Sequence, residues 1–139
     1  MRGGCDASGT VAIMNIPVEL RYTKDHEWVS LDGNRARVGV TDYAQEALGD
    51  VVFVQLPTLG DEVAQGDVLG EVESTKSVSE IYAPVAGKVA EVNLALEDSP
   101  ELVNGEPYGE GWMVVIELSD PAAVESLMTS EAYAALIEG

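Results

Sequence analysis

Two short arms of β-forming residues meeting at a polar tip constrain this chain more than any other feature. From Gly66 to Asn93 the sequence runs GDVLGEVESTKSVSEIYAPVAGKVAEVN. The arms, Val68-Leu69-Gly70-Glu71-Val72-Glu73 and Val78-Ser79-Glu80-Ile81-Tyr82, each mix apolar with polar positions. That is the pattern of half-buried strands joined by a turn. Lys76 stands at the turn, among Ser74, Thr75 and Ser77. Pro84 and Gly87 then interrupt the chain before a further strand from Lys88 to Val92. The expectation is a lysine displayed at the tip of a β-hairpin.

A lysine at such a tip has two explanations. It is a solvated charge that keeps the turn soluble, or it is a group on which chemistry is done. A nucleophilic lysine needs a lowered pKa, through burial or a neighbouring cation. Glu71, Glu73 and Glu80 lie close in sequence instead, and carboxylates favour the charged ammonium. Lys76 is therefore a poor nucleophile in its own right, and well placed to be gripped and modified by another enzyme.

Other chemistry is thinly represented. The chain has 139 residues, of which 46% are hydrophobic, enough for one domain with a packed core. Seven basic residues against 25 acidic ones give a net charge of −18. Nucleic acid is a poor partner for such a chain, because phosphate binding needs a basic patch. Strong acidity instead suits steering to basic docking surfaces on partner enzymes. Cys5 is the only cysteine and His26 the only histidine, so neither an internal disulfide nor a Cys/His zinc site is available. There is no phosphate-binding glycine loop or dinucleotide fingerprint. No serine–histidine–acid setting is recognisable around His26. No apolar run reaches membrane-spanning length, and the first residues lack signal-peptide or transit-peptide character. A cytoplasmic location is expected.

Along the chain, residues 1–13 are glycine-rich and without pattern, expected to be a disordered extension or the product of a start assigned before Met14. Residues 14–139 form the single domain. Trp28 to Leu31 and Arg35 to Val40 flank an Asp32-Gly33 turn, a hairpin signal. Thr41-Asp42 opens a short helix, with Asp42 and Gln45 spaced as a capping box and Gly49 as its stop. Val51 to Leu56 is almost wholly apolar and reads as a central strand ended by Pro57. Gly60-Asp61 and Gly66-Asp67 are turns, and Asn93 to Gly111 reads as a long loop. Trp112 to Leu118 is the final strand, and Ser119-Asp120-Pro121 begins a helix with Val124, Leu127 and Met128 on one face. A last helix over Glu131 to Ile137 turns Tyr133, Leu136 and Ile137 to the core. Many short strands with Gly/Pro turns make a mainly β fold, a small sandwich or flattened barrel with helices outside.

The segment EVESTKSVSEIYAPVAGKV resembles the lipoyl-attachment hairpin of the glycine cleavage system H protein family. The resemblance extends to HEW at His26–Trp28, to VGVTDYAQEALGDVVFVQLP from Val38 to Pro57, and to LVNGEPYGEGWM from Leu102 to Met113. It runs from about Ile16 to the C-terminus. Biotin carriers set the lysine between methionines, and lipoyl domains of 2-oxoacid dehydrogenases typically have Asp-Lys-Ala. Glu-Ser-Thr-Lys-Ser fits neither as well.

The resemblance implies the lipoyl/biotinyl barrel-sandwich hybrid of two antiparallel sheets, with short peripheral helices and a C-terminal helical segment. It implies lipoic acid in amide linkage to Lys76, attached by a lipoyl-attaching enzyme, on a carrier that is not itself an enzyme. A pyridoxal-phosphate glycine decarboxylase would load the aminomethyl remnant of glycine. A tetrahydrofolate-dependent aminomethyltransferase would take the one-carbon unit, and an FAD-dependent dihydrolipoamide dehydrogenase would reoxidise the dithiol. Carried over by position, Glu27 is the candidate partner for the ammonium of the loaded arm, and Glu80 stands where the family often has an acidic residue. Each is otherwise a solvated carboxylate. A lipoyl relay to other dehydrogenase subunits, or an unmodified β-sandwich adaptor, would display the same hairpin, so both stay open at this stage.

Overall fold

The computed structural model describes residues 16–138. The expected N-terminal extension over residues 1–13, with Met14, lies outside them. In chain order the elements are β1 (Arg21–Tyr22), β2 (Glu27–Asp32), β3 (Arg35–Val40), α1 (Asp42–Leu48), β4 (Val51–Gln55), β5 (Glu62–Val63) and β6 (Val68–Ser74). They continue with β7 (Val78–Tyr82), β8 (Gly87–Val92), the one-turn helices α2 (Ala95–Asp98) and α3 (Leu102–Gly105), and β9 (Val114–Leu118). A 3-10 segment (Pro121–Ser126) and α4 (Ser130–Glu138) close the chain.

The strands form two sheets, one of six strands in the order β1-β2-β3-β9-β8-β5 and one of three in the order β4-β6-β7. All pairings are antiparallel. Alternation along each strand sends every second side chain inward. Val29, Val38, Val89 and Ile116 of the large sheet thereby enter one core with Val54, Val72 and Ile81 of the small one. Burying each such side chain contributes roughly 1.5–3 kcal/mol. The outer face of the six-stranded sheet is ordered by charge. Paired positions across five strands read Asp32, Arg35, Glu117, Lys88 and Glu62, alternating in sign throughout. Opposite charges side by side on a sheet oppose a slip of register.

A second cluster joins α4 to the start of the large sheet, with Leu20, Tyr22, Trp28 and Tyr133 buried together. The Trp28 indole N–H donates to the carbonyl of Pro107 at 2.9 Å. Its ring lies against the cross-strand Gly39, where a Cβ would stand 2.7 Å from the indole nitrogen. Only glycine leaves that space.

Several sequence expectations need correction. The β2–β3 turn is Gly33-Asn34, because Asp32 still pairs with Arg35, and Gly33 takes φ +65°. The cap of α1 is Thr41, whose hydroxyl accepts from the Ala44 N–H; Gln45 instead donates to the Asp42 carboxylate at 2.7 Å. Val51–Gln55 is an edge strand, not a central one. A bulge between Val51 and Phe53 turns both Val52 and Phe53 outward, leaving them 52% and 51% exposed. The expected loop from Asn93 to Gly111 contains α2 and α3, pinned by buried Leu96 and Val103. The Asn93 side chain supports it by donating to the carbonyls of Glu110 and Trp112, both at 2.7 Å. Of the last-helix residues, Tyr133 is fully buried, whereas Leu136 is 44% exposed.

Candidate functional site: a lysine tip and an acidic cleft

β6 and β7 form the expected hairpin, with Thr75, Lys76 and Ser77 beyond the strand ends and exposed. Ser74 organises the tip. Its hydroxyl accepts from the N–H of Lys76 at 3.2 Å and of Ser77 at 3.1 Å, and donates to the Ser77 carbonyl at 3.1 Å. The backbone N–H of Ser74 also reaches that carbonyl, at 2.8 Å. A short side chain thus satisfies the amides that a tight turn leaves open.

The tip is braced from the side. The Thr75 N–H donates to the Asp50 carbonyl at 3.0 Å. The Lys76 stem passes over Gly49, where a Cβ would come within 2.7 Å of Cε. The Gly49-Asp50 corner is held in turn by Asn104 of α3. The Asn104 amide donates to the Gly49 carbonyl at 2.8 Å and to Gln45 Oε1 at 3.1 Å, while its oxygen accepts from the Val51 N–H at 2.8 Å. Asn104 was absent from the sequence-derived site, since an asparagine before glycine in a presumed loop signals only a turn. Its role depends on a contact 53 residues away.

Glu27 occupies a different setting. It is 1% exposed, and burial pushes its carboxyl up to about 8, against the hydrogen bonds that favour the ionised form. Those bonds come from the Tyr82 backbone N–H to Oε2 at 2.7 Å and from the Thr23 hydroxyl to Oε1 at 3.3 Å. No salt bridge to Glu27 occurs among the described residues. The carboxyl lines a surface cleft of about 520 Å³, walled also by Thr23, Lys24, Asp25, Gln65, Tyr82 and Met128.

Glu80 is exposed, and its Oε1 accepts from the Tyr82 hydroxyl at 3.0 Å. Glu27 and Glu80 therefore converge on one residue, the first through the Tyr82 backbone and the second through its phenol. Tyr82 is the second residue the sequence reading missed. Lys76 stands apart, six residues up the same hairpin arm, or roughly 20 Å in extended chain. Among the described residues no cluster of three or more His, Cys, Asp or Glu side chains is able to hold a metal ion. No described helix is long and apolar enough to cross a membrane.

Fold and site together define a small two-sheet β protein that presents one braced lysine on a hairpin and keeps a buried carboxyl in a cleft further along it. The glycine cleavage H-protein family model matches residues 20–139. The glycine cleavage system H protein of Staphylococcus saprophyticus is 56% identical over 124 residues, covering 89% of this chain and 98% of that protein. That of Geobacillus thermodenitrificans is 52% identical over the same length and coverage. A crystal structure of a glycine cleavage system H protein from Mycobacterium marinum superposes with a TM-score of 0.82 at 44% identity, covering 89% of this chain and all of that one. The chain belongs to the glycine cleavage H-protein family.

Proposed function

We propose that this protein is the lipoyl carrier of a glycine cleavage system, with the lipoyl group in amide linkage to Lys76. The observation that carries the assignment is the presentation of Lys76. It is exposed at a tip whose amides are satisfied by Ser74 and whose flank is braced by Asp50 and Gly49. A modifying enzyme would meet an ordered backbone and a free side chain, which keeps the entropy cost of recognition low. The residues present also fit the group chemically. A cleft of about 520 Å³ lies along the same arm and is lined by apolar Met128 and Pro84 as well as by Glu27. When bound, lipoate supplies a redox-active dithiolane able to hold the aminomethyl remnant of glycine.

The chain's own residues supply address and protection. Glu27 pairs with an ammonium brought into the cleft, and the Tyr82 N–H holds its carboxylate in place once ionised. Burial around Glu27 strengthens that pairing and excludes water from the guest. Glu80 is not among the residues lining the cleft; it accepts from the Tyr82 hydroxyl and adds negative charge beside that wall residue.

Glycine decarboxylase, the aminomethyltransferase, dihydrolipoamide dehydrogenase and a lipoyl-attaching enzyme are the implied partners, in the cytoplasm. The strands of the small sheet carry only acidic charges, Glu71, Glu73 and Glu80, while those of the large sheet interleave Arg35, Arg37 and Lys88 with carboxylates such as Glu62, Glu91 and Glu117. That asymmetry supports approach of basic docking surfaces to the hairpin side. Incubating the purified protein and its Lys76→Arg variant with lipoate, ATP and a lipoyl-attaching enzyme tests the assignment. Incorporation should occur in the first and be absent from the second; equal incorporation overturns it.

A further inference from the structure

Immediately before Glu27 the backbone takes an unusual shape. His26 has φ +67°, alone among the described residues other than glycine in being left-handed. A non-glycine residue there is disfavoured by roughly 1 kcal/mol or more and persists where its surroundings over-determine it. Three contacts do so. The His26 N–H donates to the Thr23 carbonyl and its carbonyl accepts from the Thr41 N–H, both at 3.1 Å. The third contact is with the ring, where Nδ1 lies 2.9 Å from the hydroxyl of Tyr133, a residue 107 positions away on α4.

That bond belongs to a chain of three groups. The Tyr133 hydroxyl also lies 2.7 Å from Thr41 Oγ1, which already accepts from the Ala44 N–H. Thr41 Oγ1 keeps a second lone pair, so the chain closes in either sense, from Thr41 through Tyr133 to Nδ1 or from Nδ1–H through Tyr133 to Thr41, and in both the Tyr133 hydroxyl is the link to the His26 ring. Burial lowers the His26 pKa, while nearby Asp25 opposes the shift; the Tyr43 ring also packs against His26, with centroids 4.8 Å apart. The Tyr133 ring is locked by stacking on Tyr22, with centroids 4.8 Å apart and planes 9° from parallel. A rigid phenol thus grips the residue whose backbone turn starts the strand bearing Glu27.

We propose that Tyr133 is a positioning residue for the cleft: by holding His26 left-handed, it sets the depth and aim of the Glu27 carboxyl beneath the Tyr82 amide. The inference rests on the reading of Glu27 as the partner of the loaded arm. It gives the C-terminal helix a part in the site although α4 supplies none of the cleft walls named above. Loss of the hydroxyl lets His26 relax toward ordinary φ, which tilts Glu27 away from Tyr82 and toward water.

The test is a site-resolved NMR titration of the Glu27 carboxyl in the unlipoylated full-length protein. Tyr133→Phe keeps the stacked ring and removes only the hydroxyl. Its Glu27 midpoint should fall by about one pH unit or more, a tenfold change in proton affinity. A midpoint unchanged from wild type in a folded variant overturns the proposal. The same substitution made in a His26→Gly background should have no effect on the midpoint, because glycine adopts this φ without a tether. An equal shift in both backgrounds shows that the hydroxyl acts by another route, which also overturns it. If Tyr133→Phe does not fold, His26→Ala against His26→Gly decides: the proposal requires Ala to shift the midpoint and Gly to preserve it. Glu27→Gln, measured in parallel for the lifetime of the loaded arm, separates the two levels. Should Glu27→Gln leave that lifetime unchanged, the arm-partner reading fails, while the titration still decides the role of Tyr133.

Discussion

The backbone N–H of Tyr82 donates to the buried carboxyl of Glu27 at 2.7 Å, joining the last residue of the lysine hairpin to the first residue of β2. These strands belong to different sheets, so the bond stitches the two layers together at the cleft. It also gives Glu27 one strong reason to ionise in a place where burial gives it a stronger reason not to. Burial wins, and the carboxyl is pushed up to about 8.

That balance has a measurable effect on stability. The Glu27 carboxyl titrates at about 8 in the folded protein and at its ordinary value of 4.5 when unfolded. Below the unfolded value both states are protonated and nothing is lost. As pH rises from there to about 8 the unfolded chain releases its proton while the folded one keeps it, so stability falls, by at most about 1.4 kcal/mol per pH unit. Above 8 the loss is constant. Glu27→Gln should remove this component. Urea unfolding at pH 5, 7 and 9 should show the variant gaining on wild type as pH rises, and a constant difference would contradict the assignment.

Glu27→Gln keeps the shape and, through its carbonyl oxygen, the bond from the Tyr82 N–H, but cannot carry charge. In the proposed role its loaded arm should hydrolyse about tenfold faster than wild type at pH 7, the worth of one modest buried charge interaction. Release of ammonia and formaldehyde from the isolated loaded carrier reads this directly. An unchanged lifetime removes Glu27 from the site.

Asn104→Ala strips three hydrogen bonds from the Gly49-Asp50 corner and leaves the Val51 N–H without its partner. The expected cost is about 1–3 kcal/mol. Because that corner also receives the Thr75 N–H, amide exchange at Thr75 should accelerate more than exchange in β9. Equal acceleration at both sites would mean that Asn104 stabilises the fold generally and does not brace the tip.

Gly39→Ala probes the second core. Its new methyl meets the Trp28 indole at 2.7 Å, and that indole is fixed by its bond to Pro107. Overpacking of this kind costs about 1–3 kcal/mol. Trp28 fluorescence during denaturant unfolding would report both the lowered midpoint and the displaced ring.

The sequence disclosed what depends on neighbours along the chain. Alternation and polar punctuation located the lysine hairpin within a residue of its observed ends, and Gly49 was rightly read as the stop of α1. It concealed what depends on partners far away. An apolar run such as Val51–Leu56 reads as a central strand, since nothing local reveals a bulge that exposes Val52 and Phe53. The loop from Asn93 to Gly111 hid two helical turns too short for any periodicity to register. Glu27 and Glu80 entered the candidate site by resemblance. Their meeting at Tyr82, and the grip of Tyr133 on His26, arise only when sheets and helix pack.

The most direct measurement of the central claim is the intact mass of the protein isolated from lipoate-replete cells of its own source, followed by peptide mapping. The account predicts a lipoyl-sized increase confined to the peptide containing Lys76. An unmodified Lys76, or a biotin-sized increase in its place, would contradict it.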